Sequence, residues 1–452
     1  MKKKQVTNNT SLKKNDRINA TCLNYTNEGM GVVKVDGYPL FVNNIMKDEE
    51  ANLVVTKVNK NFGFAKVLDF NKTSNMRVEP ICPLAKTCGG CQIQHMAYEE
   101  QLSFKKQKVQ DVMDRIAKID IKVNDVLGMN DPYQYRNKGQ IPVGIQNDEC
   151  ILGFYRIHSN TIIPMDYCHV QSNMINKVMN VMKDLLNQYQ NARYFRHILI
   201  KHAFTSNEVM VVLIVNKQQF EHQDALVKAL IEKVPEIKTV ILNLNQRNDN
   251  VILGEKEWVL YGDGKILEQI DDLKFKISSK SFFQVNPLQT KVLYGKALEY
   301  AQLTGNELVV DLYCGVGSIS LFLARSAKKV IGVEIVEAAI EDAKENAKLN
   351  NIHNCEFVCS DAANYASFLS QNQLKPDVIV IDPPRKGCDQ ITIDSIVAMN
   401  PERVVYVSCD PATLARDLNI FESKGYKTIK VQPVDMFPHS AHVETVCLLE
   451  RK

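Results

Sequence analysis

The C-terminal part of the chain alternates short apolar runs with longer amphipathic stretches. The five apolar runs are ELVVDLY, KKVIGVEI, EFVCSD, DVIVID and RVVYVS. Runs this apolar are typical of strands that are buried on both faces, and helical stretches such as EAAIEDAKENAKLN separate them. From residue 281 to 452 the pattern therefore predicts a doubly wound parallel sheet, whose ligands bind beyond the carboxyl ends of the strands.

The N-terminal part has a different, shorter period. Residues 15–72 read as about five short strands, and Asp36-Gly37 lies between two of them as a hairpin signal. So many short strands in so short a segment predict a small β-barrel of the oligonucleotide-binding kind, with a barrel that binds no ligand as the alternative. Residues 1–14, which hold five lysines, are expected to form a disordered basic leader.

Between these regions, residues 73–280 show mixed α and β patterns. Helical spacing is found at 98–116, about 171–190 and about 221–234. Strands are predicted at HILIKHAF, VMVVLIVN and TVILNLN, and a strand pair is predicted around Asn147-Asp148. The sequence therefore predicts a multidomain α/β protein with a central α+β domain.

Composition narrows the class of protein. The chain has 452 residues and a net charge of only +3, so charge alone does not indicate a nucleic-acid partner. No apolar run is long enough to span a membrane, and no secretory signal precedes the first domain, so we expect a cytoplasmic protein. Twelve cysteines in such a chain suggest metal-binding or catalytic thiols rather than disulfides.

The predicted carboxyl edge of the C-terminal sheet carries the pattern of a cofactor site. Gly315 and Gly317 follow the first strand, where glycine allows a tight turn at a helix start. Glu334 ends the second strand, in position to bind ribose hydroxyls, and Asp382 ends the fourth. Asp361, after the third, would face an adenine or simply cap the next helix. Without a full dinucleotide fingerprint, this set fits S-adenosylmethionine better than a nicotinamide dinucleotide.

Cys409 follows the fifth strand, at the same predicted edge. Asp410 and Pro411 are suited to the N-cap and first position of a helix, and a helix N-terminus favours the nucleophilic thiolate. The charge of Asp410 opposes this effect. Cys314 and Cys388 also follow strands, but a thiol there is more often a small buried side chain.

A thiolate beside a methyl donor suggests one specific reaction. Addition of a thiolate to carbon 6 of uracil makes carbon 5 nucleophilic enough to accept a methyl group. A base must then remove the proton from carbon 5. Glu444, which opens a final apolar strand, is the first candidate, and His439 and His442 are its rivals.

A second cysteine cluster lies in PICPLAKTCGGCQIQH. Cys82, Cys88 and Cys91 are close enough in sequence to bind a soft metal centre, either zinc or an iron–sulfur cluster. Either centre requires a fourth ligand, for which the candidates are Cys150, Cys168, His95 and His169.

Five motifs together resemble the bacterial RNA uracil-5 methyltransferases, most closely those that make 5-methyluridine in 23S ribosomal RNA. The motifs are SFFQVNPLQT, DLYCGVGSISLFLA, VIVIDPPRKG, YVSCDPATLARDL and FPHSAHVETVCLL, and the resemblance extends over nearly the whole chain from about residue 15. It implies a Rossmann-like class I methyltransferase domain and identifies the N-terminal barrel as a TRAM domain that binds RNA.

The resemblance also implies roles for individual residues. Cys409 would be the nucleophile and Glu444 the base, and Phe282 would lie against the target uracil, which Asp382 would also face. The positions that would contact S-adenosylmethionine are Gln284, Tyr313, Glu334 and Asp382. The metal centre would be a [4Fe–4S] cluster held by Cys82, Cys88, Cys91 and Cys168.

Two alternatives remain open at this point. The first is a transfer-RNA uracil-5 methyltransferase, which shares the catalytic core. The second is an iron–sulfur RNA-binding protein without catalytic activity, against which the presence of both Cys409 and Glu444 argues. We expect 23S ribosomal RNA as the partner and a monomer that requires no other protein.

Overall fold

The computed structural model describes residues 10–452, and residues 1–9, which include most of the predicted basic leader, lie outside the described part. The first sheet has six strands: β1 (Arg17–Thr21), β2 (Asn24–Tyr25), β3 (Gly31–Val35), β4 (Tyr38–Val42), β5 (Glu50–Val58) and β6 (Gly63–Lys72). Their order is β1-β5-β6-β4-β3-β2. Strand β1 also contacts β3 near the other end of this order, so the sheet curls around its own small core.

Three α-helices and two sheets follow. The helices are α1 (Tyr98–Val112), extended by a π-helical turn at Met113–Ala117, α2 (Asn173–Gln188) and α3 (Gln223–Lys233). The strands are β7 (Lys138–Gln146), β8 (Glu149–Tyr155), β9 (Ile162–Pro164), β10 (Phe195–His202), β11 (Val209–Val215), β12 (Ile237–Leu244), β13 (Lys256–Tyr261), β14 (Lys265–Ile270) and β15 (Leu273–Ser278). Strands β7 to β13 form one seven-stranded sheet, and β14 pairs only with β15.

The C-terminal part forms a second seven-stranded sheet. Its helices are α4 (Pro287–Ala301), α5 (Ser318–Ala324), α6 (Glu337–Leu349), α7 (Ala362–Gln371), α8 (Gln390–Met399) and α9 (Pro411–Ser423). Its strands are β16 (Leu308–Leu312), β17 (Lys329–Glu334), β18 (Cys355–Cys359), β19 (Val378–Ile381), β20 (Arg403–Ser408), β21 (Tyr426–Val434) and β22 (Glu444–Arg451). The order is β18-β17-β16-β19-β20-β22-β21.

The five apolar runs form the five predicted parallel strands, so the α/β sheet is confirmed. Strand β22 then inserts antiparallel between β20 and β21. This insertion brings the start of β22 to the edge at which β20 ends, because antiparallel neighbours run in opposite directions.

Apolar cores cover both faces of the C-terminal sheet. Helix α1 and its π-helical turn pack on one face through Val109, Val112 and Met113, although they precede the sheet by almost 200 residues. The core on the other face includes the β14–β15 hairpin and part of the central sheet, so it crosses residue 280. The central and C-terminal sheets are therefore packed through one continuous apolar core. Within residues 10–452, no helix combines the length and apolarity needed to cross a membrane.

Candidate active site

The carboxyl ends of four parallel strands and the start of β22 meet at one edge of the C-terminal sheet. The residues that this geometry brings to the edge are Tyr313 after β16, Glu334 at the end of β17, Asp382 after β19, Cys409 after β20 and Glu444 at the start of β22. Parallel strands of a doubly wound sheet present their ligand-binding residues at this edge. The residues singled out in the sequence therefore share one site.

The pairing of β20 with β22 brings Cys409 and Glu444 together. Ser408 is paired with Thr445, so one further step of the antiparallel register places Cys409 opposite Glu444. On its other side Glu444 is paired with Val434 of β21, and only 3% of its surface is exposed. A thiol and a buried carboxyl thus face the same space, although they are far apart in sequence.

The electrostatics of the site favour the protonated forms of both groups. Burial, together with the carboxylates of Glu444 and Asp382, raises the pKa of Cys409 to about 12. Burial and Asp382 raise the pKa of Glu444 to about 8. Desolvation and Asp311 raise the pKa of Asp382 to about 7. Arg385 is the cation that lowers the pKa of both Cys409 and Glu444.

The turn after Cys409 has the predicted geometry. Asp410 is the N-cap of α9, and its Oδ1 accepts hydrogen bonds from the amides of Ala412 and Thr413 at 3.0 and 3.1 Å. Pro411 occupies the first turn. The helix N-terminus does not make Cys409 acidic, because burial and the two carboxylates outweigh it.

The glycine loop leaves room for a ligand. A Cβ at Gly315 would have no neighbour within 4 Å, whereas one at Gly317 would lie 3.0 Å from Phe357, and both glycines have positive φ. The carboxylate of Glu334 accepts hydrogen bonds from the amide of Gly315 at 3.2 Å and from that of Ile335 at 2.9 Å. Glu334 therefore holds the glycine loop at Gly315, next to the open space.

Two side chains beside the loop refine the sequence interpretation. Asp361 caps α7 by accepting a hydrogen bond from the amide of Asn364, so the capping role considered for it is present. Asp311, in β16, was missed: its Oδ2 accepts a hydrogen bond from Ser320, and burial raises its pKa to about 7. A carboxyl inside an apolar strand was the signal that could have identified it.

The segment before α4 presents Phe282 to solvent. Phe282 is 63% exposed, an unusual state for a phenylalanine, and the Nζ of Lys138 lies 5.9 Å from its ring centre. Gln284 is 7% exposed, and its carbonyl accepts a hydrogen bond from Asn137. The preceding turn is held by the buried Lys201, which donates to the carbonyl oxygens at positions 278 and 281.

The two histidines near Glu444 are poorly suited to act as bases. His439 is buried, is hydrogen-bonded to Gln101 and stacks on Tyr133. Desolvation and nearby cations lower the pKa of His439 and of His442 to about 4. His439 therefore has a structural role, and Glu444 remains the best-placed proton acceptor.

Cys314 and Cys388, the other thiols that follow strands, are buried within the two cores of the C-terminal sheet. Their surroundings are those of small packing side chains.

Four cysteines lie close together in the central part of the chain. The pKa of Cys91 is raised by burial and by the nearby thiols of Cys168, Cys88 and Cys82. The thiols of Cys88 and Cys82 also raise the pKa of Cys168. Cys150 is separate from this group, because it is buried in the core of the central sheet and its charged neighbour is Lys183. Of the two cysteines considered as fourth ligand, only Cys168 joins the cluster.

The four clustered thiols do not have the geometry of a site for a single metal ion. Within residues 10–452, no three His, Cys, Asp or Glu side chains are placed so as to hold a metal ion. Backbone amides do donate to the sulfur of Cys88 and to that of Cys168. The buried Nε of Arg136, whose positive charge acts on Cys91, lacks a hydrogen-bond partner among the described residues. These amides and Arg136 oppose the effect of burial, which raises the pKa of Cys88, Cys91 and Cys168, and the thiols are not arranged around a single ion.

A cleft of about 1100 Å³ connects this region with the active site. Its walls come from the first sheet, from residues 85–95 around the clustered cysteines and from residues 154–158. Asp410, Ala441 and His442 also line it, and each lies within three residues of Cys409 or Glu444 in the sequence. A large ligand in the cleft would therefore contact three parts of the chain at once.

Residues 97–452 match the family described as tRNA (Uracil-5-)-methyltransferase. An uncharacterized RNA methyltransferase of Oceanobacillus iheyensis is 48% identical over 449 residues, which are 97% of each chain. One of Clostridium tetani is 44% identical over 446 residues, again 97% of each chain.

A solved structure also resembles the whole fold. The Pyrococcus abyssi tRNA (uracil-54, C5)-methyltransferase, in complex with S-adenosyl-L-homocysteine, has a TM-score of 0.75 and 25% sequence identity. The similarity covers 95% of this chain and 99% of that one. This chain is an RNA methyltransferase and belongs to the tRNA (uracil-5-)-methyltransferase family.

Proposed function

We propose that the protein transfers a methyl group from S-adenosylmethionine to carbon 5 of a uridine in 23S ribosomal RNA. The observation that carries this proposal is the proximity of Cys409 to Glu444 and Asp382 at the carboxyl edge of the sheet, where the charges of both carboxyls act on the thiol. An RNA methyltransferase that modified an exocyclic amine would not require this thiol.

The chain's own residues account for the proton and electron movements. The Cys409 thiol releases its proton to water, and its sulfur forms a bond to carbon 6 of a uracil that has left its stack, so that the electrons of the C5–C6 double bond move toward the carbonyl oxygen. Carbon 5 of this enolate then gains the methyl group as the bond from that methyl to the donor's sulfonium sulfur breaks. The Glu444 carboxylate takes the proton from carbon 5, the double bond re-forms, and the bond between carbon 6 and sulfur breaks.

The pKa of Cys409 bears on when the thiolate forms. With a pKa of about 12 the free protein holds Cys409 almost entirely as thiol at neutral pH. The Cys409 thiolate is therefore generated only once the target uracil and its surroundings are in place. Exposed Phe282 offers a surface against which the extruded base would stack.

S-Adenosylmethionine would supply an electrophilic methyl group beside Cys409. The residues that fit it are Gly315, which leaves open space, and Glu334, whose carboxylate would bind the ribose hydroxyls. Ile335 follows Glu334 and is 63% exposed, so it offers an apolar surface to the adenine ring. Tyr313, Gln284, Gly317, Asp361 and Asp382 complete the proposed cofactor site.

We further propose a [4Fe–4S] cluster on Cys82, Cys88, Cys91 and Cys168. The other three thiols lie close enough to Cys91 to raise its pKa, and four cysteine thiolates are the usual ligands of such a cluster. The positive charge of Arg136 next to Cys91 would balance part of the negative charge of such a cluster.

The choice of ribosomal RNA over transfer RNA rests on the resemblance of the sequence motifs. The first sheet and Cys82 to Cys91 precede the family match, which begins at residue 97, and form walls of the cleft. The sheet carries a cluster of Phe41, Phe62 and Phe64, with Phe62 36% exposed, which supports the proposal that this sheet is a TRAM barrel on which RNA bases stack. Transfer RNA is the second candidate, because the Pyrococcus abyssi protein that resembles 95% of this chain is named for it.

The RNA class can be tested with 5-fluorouridine, which forms the adduct but carries no removable proton at carbon 5. We expect wild-type protein with labelled S-adenosylmethionine to form a covalent adduct with a 23S fragment, and Cys409→Ala to form none. An adduct with transfer RNA and with no 23S fragment would refute the ribosomal assignment.

The metal centre requires a separate measurement. After purification without oxygen, we expect iron and sulfide in the wild-type protein, and loss of most iron in Cys168→Ser. Cys150→Ser is the matched control and should keep its iron, because Cys150 lies outside the cluster. Zinc without iron, or full iron content in Cys168→Ser, would contradict the proposal.

A further inference from the structure

The segment that leads into Glu444 has no regular secondary structure of its own. This base loop, residues 435–443, connects β21 to β22 and ends directly before the carboxyl that acts as base. A general base must lie within hydrogen-bonding reach of the proton that it removes, so the conformation of the base loop determines where that carboxyl points. The contacts that hold it come mostly from residues far earlier in the chain.

Backbone groups along the base loop are bound one after another by those earlier residues. The carbonyl oxygens of residues 437, 438, 439 and 441 accept hydrogen bonds from Lys105 Nζ, the Tyr135 hydroxyl, the Ile93 amide and Lys108 Nζ, respectively. The amides of residues 439 and 441 donate to the side-chain oxygens of Gln101 and Gln92. The base loop is thus shaped from outside the C-terminal sheet.

One of these contacts connects the base loop to the clustered cysteines. Gln92 directly follows Cys91, and its Nε2 donates to the carbonyl of Gly89 at 2.7 Å. Its Oε1 accepts a hydrogen bond from the amide of Ala441 at 3.3 Å. A single side-chain amide therefore spans from the turn between Cys88 and Cys91 to the base loop.

Ile93, which follows Gln92, makes a second contact between this segment and the base loop. The amide of Ile93 donates to the carbonyl of His439 at 3.1 Å, and the fully buried side chain of Ile93 packs with Ala441. Met46 from the loop between β4 and β5, Met96 and Phe104 of α1 complete this small apolar cluster. Three parts of the chain, which contribute Met46, Ile93 and Phe104, therefore meet at Ala441 of the base loop.

We propose that Gln92 is a positioning residue for the catalytic base, and that through it the cysteine turn, residues 88–91, holds the base loop in the conformation that aims Glu444. This inference rests on the proposed function. It assigns the cysteine turn a task in the second half of the reaction, the removal of the carbon-5 proton. Attack by Cys409 does not depend on this task, because Cys409 lies between β20 and α9, outside the base loop.

The test separates the two halves of the reaction in Gln92→Ala. With RNA that contains ordinary uridine, we expect the covalent intermediate to accumulate and its decay to slow by about tenfold or more, since small displacements of a catalytic group have effects of this size. With 5-fluorouridine RNA, which traps the adduct before proton removal, the rate of adduct formation should change less than about threefold. Gln92→Glu keeps the acceptor for the Ala441 amide but loses the donor to the Gly89 carbonyl, so it should not restore the decay rate.

Gln110→Ala is the matched control. Gln110 also uses its side-chain amide to join two backbone groups, the carbonyl of Ile121 and the amide of Val123, but it does not touch the base loop. Its decay rate should equal that of the wild type. Unchanged decay in Gln92→Ala, or an equal loss of 5-fluorouridine adduct formation, would overturn the inference. Failure of the wild-type protein to form any adduct would instead refute the proposed function.

Discussion

Replacing Glu444 with glutamine removes a carboxyl that disfavours the Cys409 thiolate. After burial, the charge of Glu444 is the largest influence that raises the pKa of Cys409 to about 12. Glu444 itself has a pKa of about 8, so it is about 1% ionised at pH 6 and about 90% ionised at pH 9. Its charge therefore acts on the thiol only at the higher pH, and the effect of Glu444→Gln must depend on pH in the same way.

The size of the effect follows from Coulomb's law. Two charges in one buried site, at an effective dielectric constant near 20, change a pKa by roughly one or more. At pH 9, which is far below the pKa of Cys409, each lowering of that pKa by one gives about tenfold more thiolate. We expect Cys409 to react with iodoacetamide about tenfold faster in Glu444→Gln than in wild type at pH 9, and at nearly equal rates at pH 6.

The assay resolves each cysteine by mass spectrometry of peptides after timed alkylation. Cys359 is exposed and serves as the internal reference, whose rate should be the same in both proteins. Slower alkylation of Cys409 in the variant at pH 9 would refute the electrostatic coupling. So would a large difference that is already present at pH 6, because Glu444 is then uncharged in both proteins.

Three further predictions concern other parts of the chain. Lys105 and Asp435 form a fully buried ion pair, so Lys105→Met should lower the free energy of unfolding, measured by urea denaturation, by about 3–5 kcal/mol. The double variant Lys105→Met with Asp435→Leu should recover most of this loss. Phe62→Ala should weaken RNA binding roughly 5- to 100-fold in filter assays if a base stacks on its ring, and unchanged affinity would exclude this contact. Decay of the covalent intermediate should speed up about tenfold per pH unit below pH 8 and level off above it, as Glu444 ionises, whereas a flat profile would point to another base.

The parallel strands were predictable because the sequence signal is local. Runs such as DVIVID are buried on both faces, and their spacing alone indicates strands joined by helices. Strands β13 to β15 were missed, since two thirds of their residues remain at least partly exposed and their pattern is diluted by lysines and glutamates. Burial in these strands depends on the helices that cover them, which a local pattern does not contain.

The site was predictable in its members but not in its arrangement. Position after a strand was enough to single out Cys409 and Asp382, because the ends of parallel strands share one edge. That Glu444 lies opposite Cys409 depends on the insertion of β22 between β20 and β21, a long-range pairing that the pattern of one strand does not reveal. Lys105 and Gln92 were missed for the same reason, since their partners in the base loop are more than 300 residues away in sequence.

The central claim is that Cys409 forms a covalent bond to the RNA base. The most direct measurement is mass spectrometry of the adduct trapped with 5-fluorouridine RNA and S-adenosylmethionine, after digestion of both protein and RNA. The account predicts one modified peptide, VVYVSCDPATLAR, with a methylated fluorouridine nucleotide attached at Cys409. Attachment at Cys314 or Cys388, or methylation of uridine without any covalent protein–RNA species, would contradict it.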